Sequence, residues 1–530
     1  MSLLAERFVA ESAPAVESPA TTWDRVLRGV ASTVLSQVIA AASAIALVPL
    51  FLGAWGVEGY GRWLLLVAAL SYLSLLELGG QSLFGNLLAY AYVRRDADSF
   101  RRRLAEAVSV FSIVAGLAFV GLLVTVAVWG QLAPTVRLTP EEQTIITFLG
   151  AAYLLAIPSG VYVTAYRATK LFTRGTMMGN LVSGMALIAY VAVLLARLSP
   201  AVLAITTLAA GTIGTLVLVA DIRRRIPAAR GLALGIAAAG AGARHLGSSL
   251  HFSLLSIAAA VNQQAVILVL AASAGPAVVA LYATHRTAAG FVGYVARILE
   301  APLRPELTFL HAAGREHDLR RAALLSVKVV TLLSGTLAAV VWFFLPWVYP
   351  LWTGRHLNLV SALMGVLLLQ AALAAGWSTA GWPLLASNRH HRLAYCAALN
   401  AGLTVVLAVI LAPRFGAVGV AVASLVGDVV FGAFVYPWLA ARSLGHALAT
   451  GYQALLRPLV WSATAAITLT ILGALFTAWL FALGAALAVA GCAYGAIRTT
   501  FEDDERAVLM TKLRQLAVQG IAGCWSVARS

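Results

Sequence analysis

Long stretches of this chain carry no charged side chain at all, residues 143–166 and 358–386 among them. Nothing else in the sequence restricts the fold as severely. Across all 530 residues only 11% are charged and 61% are hydrophobic, where a soluble globular chain carries about 25% charged residues. A deficit of that size requires most of the chain to face lipid or a core buried within the membrane. A bilayer core about 30 Å thick takes about 20 apolar residues per helical crossing. A membrane barrel would show segments of about 10 residues in strict alternation, whereas the runs here are continuous Ala, Leu and Val. The predicted fold class is therefore an all-α polytopic membrane protein.

About fourteen spans are expected, near 27–53, 62–92, 104–130, 143–166, 176–197, 200–222, 248–272, 277–302, 323–350, 358–386, 391–413, 416–440, 455–476 and 478–498. The second is too long for one straight crossing and should tilt or break at Gly79-Gly80. Residues 1–25 read as a cytoplasmic N-terminal tail and 501–530 as a cytoplasmic C-terminal tail, the latter opening on Glu502, Asp503, Asp504 and Glu505.

The net charge of +16 would suggest nucleic acid in a soluble protein, but here it has a topological origin. With the N-terminus placed in the cytoplasm, 31 of the 37 Lys and Arg residues fall in cytoplasmic loops and tails. Arg62, Arg137, Arg197, Arg355 and Arg414 fall on the other side, and Arg286 lies within a span. One misplaced span would scramble this alternation, so the positive-inside rule supports both the span assignment and an arrangement with both termini cytoplasmic. No nucleic-acid partner is expected. Trp342, Phe343, Phe344, Trp347, Tyr349 and Trp352 mark an outer interface at the end of the ninth span. Cys396, Cys492 and Cys524 have no metal-type spacing.

The chain also repeats weakly at an offset near 220. Arg95 to Arg102 resembles Arg315 to Arg321, Ala168-Thr169 with Arg174 resembles Ala386-Ser387 with Arg392, and Gly56, Tyr60 and Arg62 resemble Gly275, Tyr282 and Arg286. Six helices per repeat is an even number, so the repeats are parallel. The expected domains are an N-lobe over 26–230 (helices 1–6), a C-lobe over 231–445 (helices 7–12), and an added helix pair over 446–500. Two packed repeats of this kind place a substrate site near the bilayer midplane.

Ionisable groups inside spans cost about 2.5–3.5 kcal/mol each when centrally placed and mark function by default. Arg286 lies ten residues into its span, about 15 Å deep, where a guanidinium can grip phosphate oxygens with two parallel hydrogen bonds. The alternative is pairing to a carboxylate. His285 beside it reads as packing. Glu77 and Asp428 are candidates for coupling or gating, Glu77 as a proton carrier or as a partner of Arg286 in one state. Gly427 and Gly432 around Asp428 suggest close packing instead. Gln37, Asn262, Gln263 and Gln264 fall at comparable places in the two halves and can line a wet cavity or hold helices together. Pro158 and Pro383 should kink their helices. We find no Walker A loop, no paired carboxylates in a soluble loop and no metal-spaced His/Cys set. The chain therefore reads as a transporter rather than an enzyme, without a cofactor. Its driving force would come from a proton or sodium gradient, the membrane potential or consumption of substrate on the far side.

Several segments resemble the polysaccharide-transporter family, the Wzx-like flippases of the multidrug/oligosaccharidyl-lipid/polysaccharide exporter superfamily. They are Val48-Pro49-Leu50 with Leu52-Gly53, Gly59-Tyr60-Gly61-Arg62-Trp63, Leu75-Leu76-Glu77-Leu78-Gly79, Leu281 to Arg286, Ala301 to Pro305 and Phe415 to Ala421. The likeness covers residues 25–440 and departs at Glu77, where the family pattern has Asp. It implies a V-shaped pair of six-helix lobes, alternating access in the bacterial inner membrane, and an undecaprenyl-diphosphate-linked oligosaccharide as substrate. A polysaccharide polymerase and a chain-length regulator would be partners of such a flippase, along with membrane lipids. A multidrug or cation antiporter of the same superfamily is the alternative, and a membrane-embedded polymerase or ligase a more distant one, since no outer loop is long enough to hold catalytic residues.

Overall fold

A computed structural model describes residues 19–133, 137–169, 171–246, 250–312, 314–386, 390–445, 447–475, 491–492, 494–503 and 505–506. Both expected tails beyond these limits, and most of the expected span 478–498, lie outside the described residues.

The described chain is helical from end to end. In order the helices are α1 (Pro19–Ser71), α2 (Gly80–Val93), α3 (Ala97–Leu132), α4 (Pro140–Ala168), α5 (Phe172–Leu195), α6 (Pro200–Arg225), α7 (Ile236–Leu246), α8 (Leu250–Ala260), α9 (Val266–Ala274), α10 (Pro276–Ala312), α11 (Glu316–Trp352), α12 (Ser361–Ala380), α13 (Trp382–Ala386), α14 (His390–Asp428), α15 (Tyr436–Leu444) and α16 (Leu448–Leu475). Among the described residues ten helical stretches are long and apolar enough to cross a membrane. Two of these, Ser32–Val93 and Arg392–Arg442, run 62 and 51 residues, which is length for two crossings each. This is a multi-pass membrane protein. α10, expected as a span, is helical over 37 residues but is not one of the ten, because Thr284, His285, Arg286 and Thr287 interrupt its apolar run.

Local chemistry sets the ends. Asp96 caps α3, its side chain accepting the Ser99 N–H at 2.8 Å. Thr139 and Glu142 form a reciprocal capping box at α4, with Pro140 in the first turn. Arg223, Arg224 and Arg225 crowd the last turn of α6, where the helix dipole favours cations. Inside the two longest stretches the chain reverses at glycines: Gly56 at φ 69°, ψ −177° and Gly416 at φ 55°, ψ −132°, left-handed conformations that a Cβ opposes. Gly275, the sequence counterpart of Gly56 in the weak repeat, has φ 81°, ψ 173°.

Two compact units divide the chain. The first holds residues up to Thr287 together with Tyr349–Leu363 and His391–Gly427. The second holds Ala288–Val348, Met364–His390 and the residues from Asp428 onward. In the first, Phe84, Leu104, Phe111, Tyr166 and Ile222 form a core with essentially no exposed surface. In the second, Leu307, Leu319, Val330 and Trp382 do so.

Lipid tails are as apolar as leucine, so helix association here depends on close packing and polar contacts rather than on hydrophobic burial. Both are present. A Cβ on Gly150 would lie 2.4 Å from Leu122, and one on Gly214 2.5 Å from Val182. Buried Asn180 on α5 donates to the Ser32 carbonyl at 3.0 Å and accepts from Ser36 at 2.7 Å. Asp221 on α6 receives both Arg174 nitrogens, at 2.5 and 2.9 Å, and the Tyr166 hydroxyl at 2.6 Å. On the outside, Leu117, Ile188, Leu216 and Ile467 are exposed, as lipid-facing residues should be.

Candidate functional site

The polar residues of the seventh expected span do something their sequence does not announce. Asn262, Gln263 and Gln264 fall inside a π turn, Val261–Ala265, inserted between α8 and α9. Such bulges disturb the regular helical hydrogen-bond ladder and are frequent at functional sites. α10 leaves Gly275 and runs back past this turn, and ten residues after its first, Arg286 meets the bulge. Its Nη1 donates to the Gln263 carbonyl at 2.8 Å and its Nη2 to Gln263 Oε1 at 3.2 Å. The guanidinium thus spans a main-chain and a side-chain oxygen of one residue.

This arrangement bears on the second reading of Arg286, pairing to a carboxylate. Among the described residues no carboxylate lies within 4 Å of it, and Glu77 and Arg286 do not pair. The cation is oriented by neutral oxygens and keeps a half-exposed position. Two hydrogen bonds use two of its five N–H donors.

Glu77 is placed differently from the sequence expectation of a mid-helix residue. α1 ends at Ser71, a 3₁₀ turn covers Tyr72–Glu77, and Leu78 (φ 47°) and Gly79 (φ 65°) are left-handed before α2 begins at Gly80. The expected break at Gly79-Gly80 is therefore a longer one that starts a turn earlier, and half-buried Glu77 is its last helical residue. A Cβ at Gly80 would lie 2.5 Å from the Phe111 ring, so α2 restarts tight against α3. The Tyr72–Glu77 turn packs on α8, and α1 packs on the π turn. Both contacts lie within the first unit, and half-buried Gln37 is carried by α1.

His285 is held as packing, in keeping with its sequence reading. It is fully buried. Its Nε2 accepts the Val360 N–H at 3.0 Å, which fixes the proton on Nδ1, beside the Leu281 carbonyl at 2.8 Å and the Tyr349 hydroxyl at 2.9 Å. This ring is a neutral strut. It also explains why Tyr349, expected among the outer aromatics, is fully buried. Trp347 is exposed, and Trp352 donates its indole N–H to the Ile45 carbonyl at 2.8 Å.

In the second unit Asp428 stands at the start of another π segment, Val429–Val435. Its Oδ2 accepts from Gln370 Nε2 at 2.8 Å. The close approach expected beside it is present: a Cβ on Gly432 would lie 2.5 Å from the Trp377 indole, and in the first unit, which ends this stretch at Gly427, a Cβ on that glycine would lie 2.4 Å from Thr404 Oγ1. Gln370 was missed from sequence, although it stands alone among apolar residues in α12. So was Gln81, which donates to the Ile157 carbonyl at 3.2 Å beside Pro158; a Cβ on Gly160 would fall 2.2 Å from its amide.

No protein-family model and no curated protein matches this chain. Solved structures do. The lipid II flippase MurJ in an inward closed conformation aligns with a TM-score of 0.67 at 10% identity, over 88% of this chain and 99% of that one. An inward-facing multidrug resistance MATE family transporter of the MOP superfamily aligns with a TM-score of 0.59 at 13% identity, over 78% and 94%. A MOP superfamily transporter from Pyrococcus furiosus aligns at 0.51 and 15% identity, over 79% and 95%. At these identities the likeness establishes the fold: this chain has the all-helical architecture shared by the MurJ flippase and the MATE transporters.

Proposed function

We propose that this protein is a flippase that carries a polyprenyl-diphosphate-linked oligosaccharide, an O-antigen or exopolysaccharide unit, across the bacterial inner membrane by alternating access. One observation carries the reading: Arg286, about 15 Å along its helix, is oriented by Gln263, with no carboxylate of the described residues paired to it. A fixed cation with spare N–H donors suits a diphosphate, because arginine meets phosphate oxygens in a bidentate fork. Gln37, Asn262 and Gln263 would supply neutral hydrogen bonds around it. Glu77 and Asp428 would serve coupling or gating, to a proton or sodium gradient. Both termini would be cytoplasmic, and a polymerase and a chain-length regulator would act on the delivered unit.

The fold is shared with a protein named as a lipid II flippase and with multidrug transporters alike, so the charge of the site is what favours the anionic lipid-linked substrate over a cationic drug. The test is Arg286→Ala in the native host. It should express normally, lose surface glycan and accumulate lipid-linked oligosaccharide on the cytoplasmic leaflet. Arg286→Lys should restore only part of the flux, since an ammonium cannot form the fork. Normal surface glycan in Arg286→Ala would refute the assignment, and loss of cationic-drug efflux with glycan intact would favour the antiporter.

A further inference from the structure

The segment joining α6 to α8 lies apart from the Arg286 site. Ile226, Ala228 and Ala229 sink into the core of the first unit. Arg230 then folds back, its Nε donating to the Arg223 carbonyl at 2.6 Å, which caps the end of α6. The Gly235 N–H donates to Ser109 Oγ at 3.2 Å. α7 follows along α3: a Cβ at Gly242 would lie 2.8 Å from the Glu106 carbonyl, and Arg103 donates to His245 Nε2 at 2.6 Å.

The level at which this happens is fixed by α3 itself. Glu106 is its last charged residue, and residues 107–132 carry none. The segment therefore crosses α3 where the charged end of that helix gives way to its apolar length, which is the water–membrane boundary. The arginines in the last turn of α6 mark the same boundary.

One face of α7 is spent on α3 through Ala239 and Gly242, and the opposite face is open at Ile236, Gly240, Ala243 and Arg244. Ile236 is 84% exposed and Leu234 53% exposed. Arginines 223, 224, 230 and 244 of the same segment are exposed as well. Two large aliphatic side chains left exposed in a segment whose charged side chains are all cationic make an unfavourable surface for a loop in solution. It is the composition of an interfacial anchor, apolar groups among acyl chains with cations at the headgroups.

We propose that residues 223–246 form an in-plane anchor for anionic phospholipid, with Leu234 and Ile236 inserted at the acyl boundary and Arg224 and Arg244 on the headgroup phosphates. The occupant is lipid because the segment is tied at membrane level by its own helices and its surface is positive throughout.

The test uses the full-length chain in detergent, titrated with phosphatidylglycerol or phosphatidylcholine, with bound lipid counted by native mass spectrometry. Arg224→Ala/Arg244→Ala should weaken phosphatidylglycerol binding about 25-fold, at about fivefold per arginine, and leave phosphatidylcholine unchanged. Unaltered phosphatidylglycerol binding, or equal loss of both lipids, overturns the proposal. A second measurement places a bimane label on Ile236→Cys, in a background with Cys396, Cys492 and Cys524 replaced by Ala. Quenching by phosphatidylglycerol with brominated acyl chains is expected. A label reached by aqueous iodide and not by the bromolipid overturns the lipid assignment and points to a protein covering this face.

Discussion

Replacing Gly61 with alanine tests the packing that sets α10 in place. The added Cβ would lie 1.8 Å from the Pro276 carbonyl oxygen, 2.4 Å from its carbon and 3.1 Å from its Cα. These are backbone atoms, so no side-chain rotation relieves the clash. Reaching an ordinary contact of about 3.5 Å requires the two segments to part by about 1.7 Å. Overpacking of this kind costs about 1–3 kcal/mol, against a helix-propensity gain of about 0.5–1 kcal/mol from removing glycine. The net expectation is a loss of up to about 2.5 kcal/mol. At Gly53, in the same helix, an added Cβ would meet nothing within 4 Å, so Gly53→Ala should gain about 0.5–1 kcal/mol instead. Thermal unfolding of both variants in the same detergent, followed by intrinsic fluorescence, gives the comparison. If Gly61→Ala melts at or above Gly53→Ala, the close approach of Gly61 to Pro276 is not a feature of the folded protein. Pro276 opens the helix that carries Arg286, so a shift of that size also disrupts a 2.8 Å hydrogen bond to Gln263, and flux should fall with Arg286 itself unchanged.

Two further outcomes test other parts of the chain. Lys328 and Glu505 form a buried ion pair at 2.7 Å, with Glu505 also accepting the Glu502 N–H at 2.9 Å; Glu505→Gln should cost about 3–5 kcal/mol by stranding the ammonium, and the double change Lys328→Met/Glu505→Leu should recover most of it, both read as melting temperatures. Asp96, outside the spans, has its carboxyl held below the ordinary range by the Ser99 backbone N–H; a depressed folded-state value means its contribution is present above about pH 4 and lost as pH falls through the lower folded value, so Asp96→Ala should cost about 0.5–2 kcal/mol at pH 7 and progressively less as the pH is lowered below about 4, measured as the difference in unfolding free energy between the two proteins.

What could be read in the sequence followed from the bilayer. Charge-free runs such as 143–166 reappear as the body of α4, and the expected boundary between the spans 391–413 and 416–440 reappears as a left-handed break at Gly416, because the solvent dictates helix length and only glycine accepts that backbone. Other features depend on tertiary contacts that leave no periodic trace. A π turn changes one hydrogen-bond register and barely alters the spacing of apolar residues, so Val261–Ala265 and Val429–Val435 were invisible although the polar residues at the first were not. Glu77 was misplaced because a Leu-Leu-Glu-Leu run favours helix locally, while the observed 3₁₀ turn and the left-handed Leu78 accompany the tight seating of Gly80 on Phe111. Gln370 was overlooked because the reading ranked charges first, yet a lone amide in an apolar helix also has to find a partner, and its partner is Asp428.

Arg286 meets a need of the backbone as well as of the proposed substrate. Within a membrane every main-chain carbonyl displaced from the helical ladder needs a donor from elsewhere. The Gln263 carbonyl lies in a π turn and receives the Arg286 guanidinium, so Arg286 stabilises the bulge whatever substrate the protein carries. Alanine therefore removes two things at once: a donor to the backbone, costing about 1–3 kcal/mol where water does not replace it, and the cation. Lysine separates them. Its ammonium can still donate to the one carbonyl, which preserves the turn, but it cannot span Gln263 and a phosphate in the fork geometry of a guanidinium. A lysine variant with wild-type melting and reduced flux assigns the cation to the substrate. A lysine variant with wild-type melting and full flux leaves Arg286 as a strut for the turn and removes the principal support for a diphosphate ligand.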